Sequence, residues 1–330
     1  MRFLLPIFIL ILFYSCESNV SSYSLSGVAL GTPYKIKHDA LINKDELELG
    51  IDSILKKINK SMSTYDKDSD ISKINNGFEI QVDSFFKEVF FKSFEVWKAT
   101  NGAFDPTVGS LVNAYGFGPD QKFINDISTT QLDSLLNITG WNKIYINDKG
   151  YLIKSNKEIY IDFNAIAKGY CVDIISKYLE SVGAKNYLVE IGGEISAKGI
   201  SPKSNNFWKI GIDYPESDMS KRNNYATYIL KNKSMATSGN YRHFRIDKKT
   251  GKKYVHSIDP RSGYPIESKI LSTTVTAINC MTADAWATSL MILSLDQGLE
   301  IIENDKSLEA FWIVSTKNGI EPIFSSGWNQ

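Results

Sequence analysis

Tyr187-Leu188-Val189-Glu190-Ile191, then Gly192-Gly193, then Glu194-Ile195-Ser196-Ala197: two apolar runs of strand length meet at a glycine pair, the pattern of an antiparallel hairpin. The same punctuation recurs on both sides of it. Residues 143–146 and 151–154 flank Asn147-Asp148-Lys149-Gly150, residues 311–314 and 320–324 flank Asn318-Gly319, and residues 208–214 read as the partner of 225–230. Further strands are expected at 25–37, interrupted at Gly31-Thr32-Pro33, at 159–163 and at 271–277. Between them lie helices. Leu47, Ile51, Ile54, Leu55, Ile58 and Met62 recur at helical spacing and make one apolar face. A second helix is expected over 84–100, with Asp83 as its N-cap and Phe86, Val89, Phe90 and Trp97 on one side. Others are expected over 165–181, closed at Gly183, and over 282–293. Strands outnumber helices and hairpins are frequent, so the reading is α+β, with largely antiparallel sheets and packed helices in one body over residues 25–330.

Composition narrows the function. The chain has 330 residues, enough for a large core, and its 37 Lys+Arg cancel 37 Asp+Glu. That balance removes the basic footprint a nucleic-acid binder needs. Hydrophobic residues at 43% and charged ones at 22% exclude a disordered chain and a polytopic membrane protein. The N-terminus is different: Met1-Arg2 precedes an apolar run over 3–14, too short to span about 30 Å of hydrocarbon as a helix. Residues 1–15 read as a signal peptide, and Phe13-Tyr14-Ser15-Cys16 resembles a bacterial lipobox, making Cys16 the lipidated, palmitate-bearing first residue of the mature chain. The polar, Ser-rich stretch to residue 24 would be the tether. An ordinary secretory signal with an incidental cysteine is the competing reading. The anchored reading places the protein on the extracytoplasmic or periplasmic side of a bacterial cell membrane. Cys171 and Cys280 are expected as packed thiols, with a single bridge between them left open.

Several segments carry candidate chemistry. Asp66-Lys67-Asp68-Ser69-Asp70 imitates a calcium loop but has Ile71 where the sharp turn needs glycine and Gly77 where the bidentate Glu belongs, so it reads as a solvated acidic loop. Gly102-Ala103-Phe104-Asp105-Pro106-Thr107-Val108-Gly109 is a helix stop and tight turn that lets backbone approach a ligand, or a structural turn with Asp105 as its cap. Asp162 to Gly169 ends a strand and starts a helix, where free amides favour an anion and Lys168 reaches a phosphate; a plain capped helix fits equally well. The Walker spacing is absent. Asp284 and Thr288 share a helix face as an i,i+4 pair of hard oxygen donors of the kind magnesium prefers, though a dipole-facing Asp and a back-bonded Thr give the same letters. His256 stands before the Pro- and Gly-defined loop Asp259-Pro260-Arg261-Ser262-Gly263-Tyr264-Pro265, and Ala236-Thr237-Ser238-Gly239 precedes both. Only three histidines occur, at 38, 243 and 256, and no HExxH or CxxC, which argues against a zinc hydrolase.

Taken in order, these segments resemble the ApbE family of FAD:protein FMN transferases. The resemblance is carried by Leu30 to Tyr34, Met62 to Tyr65 with Ser69 and Asn75, residues 102–109, Asp162 to Gly169, Gly192-Gly193-Glu194, Ala236 to Gly239, His256 to Pro265, and Ala283 to Thr288. Leu30 stands where the family usually has Met, and Phe163-Asn164 replaces a commoner Leu-Gly pair. The resemblance implies a T-fold-related single catalytic body that moves FMN from FAD onto a Thr or Ser hydroxyl of another protein through a phosphoester, releasing AMP. It implies FAD lined by Leu30, Tyr65, Ala103, Phe104, Asp105, Asp162, Lys168 and the Ile258 backbone. It also implies Mg2+ on the Ala165 carbonyl, Asp284 and Thr288, and acceptors that are exported or membrane electron-transfer subunits. His256 is the expected base for the acceptor hydroxyl, with Asp284 as its competitor. A Mg2+-dependent FAD pyrophosphatase and a non-catalytic, lipid-anchored FAD-binding protein are the two alternatives.

Overall fold

Gly192 and Gly193 adopt positive φ, 64° and 112°, and Ile191 pairs with Glu194 across them in an antiparallel hairpin. Only glycine takes these angles in succession without a Cβ penalty. The hairpin lies inside one eight-stranded sheet whose strands follow chain order: β1 (Tyr23–Ala29), β2 (Thr32–His38), β3 (Tyr187–Ile191), β4 (Glu194–Lys198), β5 (Ser234–Gly239), β6 (Ile270–Ala277), β7 (Glu309–Thr316) and β8 (Gly319–Phe324). Every neighbouring pair is antiparallel. This is a computed structural model describing residues 22–119, 127–215, 224–240, 244–246 and 253–328. The signal peptide, Cys16 and the tether up to residue 21 lie outside the described residues, as does His243.

Alternation sorts the strands into two faces. Along β7, Ala310, Trp312 and Val314 point into the main core, while Phe311 and Ile313 point the other way. Four longer helices cover the first face: α1 (Lys44–Met62), α2 (Ser84–Ala99), α3 (Ala167–Ser181) and α4 (Cys280–Ile292). α3 packs on β3 and β4, and α4 on β5 and β6. α1 shows the expected stripe, with Leu47, Ile51, Leu55, Ile58 and Met62 buried. The second face is capped by the hairpin Trp208–Asp213 with Asn224–Leu230, which adds Trp208, Ile210, Ile212 and Leu230 to Phe311, Ile313 and Trp328. Full burial of such side chains is worth about 2–3 kcal/mol each. A third, small cluster of Leu111, Tyr115, Leu132 and Ile258 joins the short helices Gly109–Ala114 and Thr129–Asn137 to the 258–265 segment.

The α+β reading stands, with local corrections. Residues 25–37 form two strands, because Leu30 at φ 50° and Gly31 at φ 74° turn the chain into a hairpin. Residues 159–163 are buried but form no strand. Their backbone is clamped instead by the Asn75 side chain, which donates to Ile161 O at 2.9 Å and accepts from Ile161 N at 2.8 Å, while Asp162 N donates to Pro106 O at 2.8 Å. The helix expected from residue 165 begins at Ala167. In the acidic loop, Ser69 caps a short helix, Asp70–Asn75, and Lys60 holds Asp70 at 2.7 Å. Ala236 to Gly239, read only as a motif preceding a loop, is most of strand β5. Cys171 and Cys280 are both buried free thiols.

Candidate active site

The N-terminal turns of α3 and α4 meet over the helix-covered face of β4 and β5. Asp173, on α3, accepts from the first two amides of α4, Cys280 N at 2.7 Å and Met281 N at 2.8 Å. Asp284, on α4, returns the contact: its Oδ2 accepts from Gly169 N at 2.9 Å. The approach depends on glycine, since a Cβ at position 169 would lie 2.3 Å from Cys280 O and 2.7 Å from Asp284 Cβ. Gly169 lies in the first turn of α3, where a helix N–H has no intrahelical acceptor. Here Asp284 takes that donor.

Charges gather at this junction. Lys168 Nζ lies 2.7 Å from Glu194 Oε1 and 3.9 Å from Asp284 Oδ1. Glu194 and Asp284 are only 3% and 2% exposed. Glu194 opens β4 directly after the glycine pair. Burial alone pulls the Lys168 ammonium down, but Asp284 and Glu194 outweigh it and hold the group above the ordinary lysine range. Burial pushes the Asp284 carboxyl up despite Lys168, and Glu194 adds to the rise. On the same face of α4, Thr288 meets Ser238 of β5, oxygen to oxygen at 3.3 Å, instead of bonding back along its helix. Thr273 of β6 fixes the adjoining turn by donating to Ala287 O at 2.6 Å.

A cation suits this junction. Among the described residues no three or more His, Cys, Asp or Glu side chains gather as a metal site. The donors present are hard oxygens of mixed kind, the carboxylate of Asp284 and the hydroxyl of Thr288. One lysine facing two buried carboxylates leaves the cluster negative, and Glu194 Oε2 has no hydrogen-bond partner among the described residues. Hard, oxygen-only donors match magnesium.

The loop wall is different in kind. Ala103 and Phe104 are buried, and Asp105 is 6% exposed with both oxygens engaged. Its Oδ1 accepts from Thr107 N at 2.9 Å and Thr107 Oγ1 at 2.7 Å, and its Oδ2 from Trp141 N at 2.8 Å. Burial pushes its carboxyl up while these donors pull it down. Asp105 therefore caps the turn Pro106–Val108, the structural role considered from sequence. Ile258 is buried and bridges Pro265, closing the 259–264 loop, whose Arg261 stem passes beside Gly102. Asp162, its carboxyl raised to about 6 by burial against the pull of Asn164, receives Asn164 N at 2.7 Å and Nδ2 at 3.0 Å. Tyr65 is 64% exposed and carries a hydroxyl raised by partial burial and then by the Asp162 charge. Leu30 sits at the β1–β2 turn against the main core. His256 is half-buried with its ring edge-on to Phe117 at 6.3 Å, and its neighbour Ser257 donates to Asn240 Oδ1 at 2.7 Å, one residue beyond β5. That bond ties His256 to the strand that carries Ser238 against Thr288.

The sequence reading singled out Lys168 and, separately, the Asp284 and Thr288 pair, and the structure sets Lys168 3.9 Å from Asp284; Glu194, Asp173 and Ser238 were not named as site residues. The signal for Glu194 was available: an acid at the first strand position after a glycine turn, between apolar neighbours. Asp173 and Ser238 carry no such mark.

The first turns of two helices close over a half-buried lysine and two buried carboxylates, charges of the kind that suit an anion together with a cation. The chain belongs to the ApbE family, whose model matches residues 30–312. It is 36% identical over 327 residues to FAD:protein FMN transferase of Haemophilus influenzae, covering 96% of this chain and 93% of that one. Identity to the protein of that name in Escherichia coli K12 is 30% over 316 residues, covering 92% and 88%. Among solved structures, flavin transferase ApbE from Vibrio cholerae superposes with a TM-score of 0.83 at 35% identity, covering 93% of this chain and 97% of that one. The apo flavinyl transferase ApbE of Pseudomonas stutzeri gives 0.82 at 29%, covering 93% and 95%.

Proposed function

We infer that this chain is an FAD:protein FMN transferase, moving FMN from FAD to a Thr or Ser hydroxyl of an acceptor protein and releasing AMP. The observation that carries the reading is the cluster of half-buried Lys168 with buried Glu194 and Asp284 beside Thr288, in a chain that matches transferases of that name along nearly its whole length. In the reaction the acceptor oxygen forms a bond to the FMN phosphorus and the bond from that phosphorus to the bridging oxygen breaks. AMP departs with the electron pair.

Lys168 supports this chemistry as a fixed ammonium for the pyrophosphate oxygens. Ala165, Asp284 and Thr288 would hold Mg2+, which when bound supplies charge neutralisation for the phosphate oxygens. His256 is the assigned base: half-buried on a loop, it takes the acceptor proton, whereas Asp284 is already bonded to Gly169. Leu30, Tyr65, Ala103 to Asp105, Asp162 and the Ile258 backbone form the flavin-side wall.

Cys16 is the lipid anchor in this reading, and the acceptor is an electron-transfer subunit facing the same extracytoplasmic compartment. Confinement to one surface raises the effective concentration of the pair. The test is incubation of the purified chain with FAD, Mg2+ and candidate redox subunits. A fluorescent flavin band surviving a denaturing gel, with AMP released, is the expected result. FMN and AMP free in solution without a labelled protein would make the enzyme a pyrophosphatase, and FAD retained without AMP would make it a binding protein.

A further inference from the structure

Glu194 is a buried carboxylate that the family resemblance leaves without a role, and its position relative to Lys168 and Asp284 is informative. Asp284 spends Oδ2 on Gly169 N, so Oδ1 is the oxygen left for a metal. Lys168 Nζ stands 3.9 Å from that oxygen but 2.7 Å from Glu194 Oε1. Among the described residues, the other carboxylate within ion-pair reach of an ammonium released from Glu194 is Asp284, through the oxygen left for a metal. Asp284 is buried, so ammonium and divalent cation compete for its oxygen at low dielectric.

We propose that Glu194 is a positioning residue that draws Lys168 away from Asp284 and so keeps Asp284 Oδ1 open for the metal. The proposal rests on the reading of Asp284 as a Mg2+ ligand. A strand residue is well suited to this role, since the pairing of β4 with β3 and β5 holds Glu194 as a fixed point toward which the lysine stem swings. Removing its charge has opposite consequences for the two ligands. The metal loses an open oxygen and a negative neighbour, whereas the FAD pyrophosphate loses a repelling carboxylate and keeps its lysine.

The experiment measures Mn2+ binding by electron paramagnetic resonance and metal-free FAD binding by flavin fluorescence, with no acceptor present. Glu194→Gln is expected to weaken Mn2+ binding about tenfold or more, the usual size for a group that orients a metal ligand. FAD binding without metal is expected to be unchanged or tighter. In a Lys168→Met background the same Glu194→Gln change should cost much less Mn2+ affinity, because the competing ammonium is gone. An equal loss in both backgrounds would make Glu194 a direct ligand and overturn the proposal. Parallel loss of FAD and Mn2+ binding would reduce Glu194 to a structural residue and overturn it too. If the unaltered protein binds FAD and Mn2+ and Glu194→Gln matches it, this proposal alone fails; if the unaltered protein binds neither, the functional reading falls with it.

Discussion

On the charged side of the site, Lys168, Glu194, Asp284 and Thr288 all sit in helices and strands, and their partners are other side chains or amides of the opposing helix. On the loop side, Phe104, Asp105 and Ile258 sit in irregular backbone, and Asp105 spends its whole carboxylate on holding that backbone together. Charge placement tolerates little error, because Coulomb energy in a buried site changes steeply with distance. In the proposed function a flavin ring asks instead for shape, which a turn supplies once its amides are satisfied. The two walls should therefore fail differently when damaged: one in metal dependence, the other in folding.

The largest contrast comes from Asp284→Ala, which should bring transfer to the limit of detection and leave no activation by Mg2+. Surviving activation in a Mg2+ titration would refute the metal assignment. His256→Ala should lower transfer by about a hundredfold or more while FAD still binds, the usual weight of a general base; undiminished labelling of an acceptor would remove His256 from the mechanism. Asp105→Ala, on the opposite wall, should cost on the order of 3 kcal/mol in denaturant unfolding, since it strands several buried donors. Its residual activity should keep the normal Mg2+ dependence, and a shifted dependence would erase the distinction between the walls.

A subtler probe is pH. Burial raises the Asp173 carboxyl to about 6, so the folded state holds its proton more tightly than the unfolded chain does. Its contribution to stability is complete below the unfolded pKa, about 4, and disappears as pH rises through about 6. Asp173→Asn should flatten the melting temperature across that window, and an unaltered slope would show that the helix junction does not feel this proton. Smallest of all, Cys16→Ser should leave transfer in solution unaltered while moving the protein from the membrane to the soluble fraction. Retention in the membrane fraction would end the anchor reading.

Legibility followed the reach of the interactions. Asp83 capping α2 and the Gly192-Gly193 hairpin depend on neighbours within a few residues, and both were readable. Residues 159–163 look like a strand because their apolar run is real, yet their ladder partner is the side chain of Asn75, far back in the chain. Lys168, Asp284 and Thr288 were readable as chemistry because residue type and helix spacing imply a function. Their mutual arrangement was not, because it depends on Gly169 allowing two helices to touch and on Glu194 arriving from the sheet.

The order of the sheet has a consequence for biosynthesis. Its strands are laid down in the sequence in which the chain emerges, so Lys168 and Glu194 are in place long before Asp284 and Thr288 are made. A nascent chain, or one clipped before α4, carries the lysine and the glutamate that pair in the complete protein. Such a fragment lacks Asp284 and Thr288, so under the proposed function it should show no Mg2+-dependent turnover of FAD while the protein is half built.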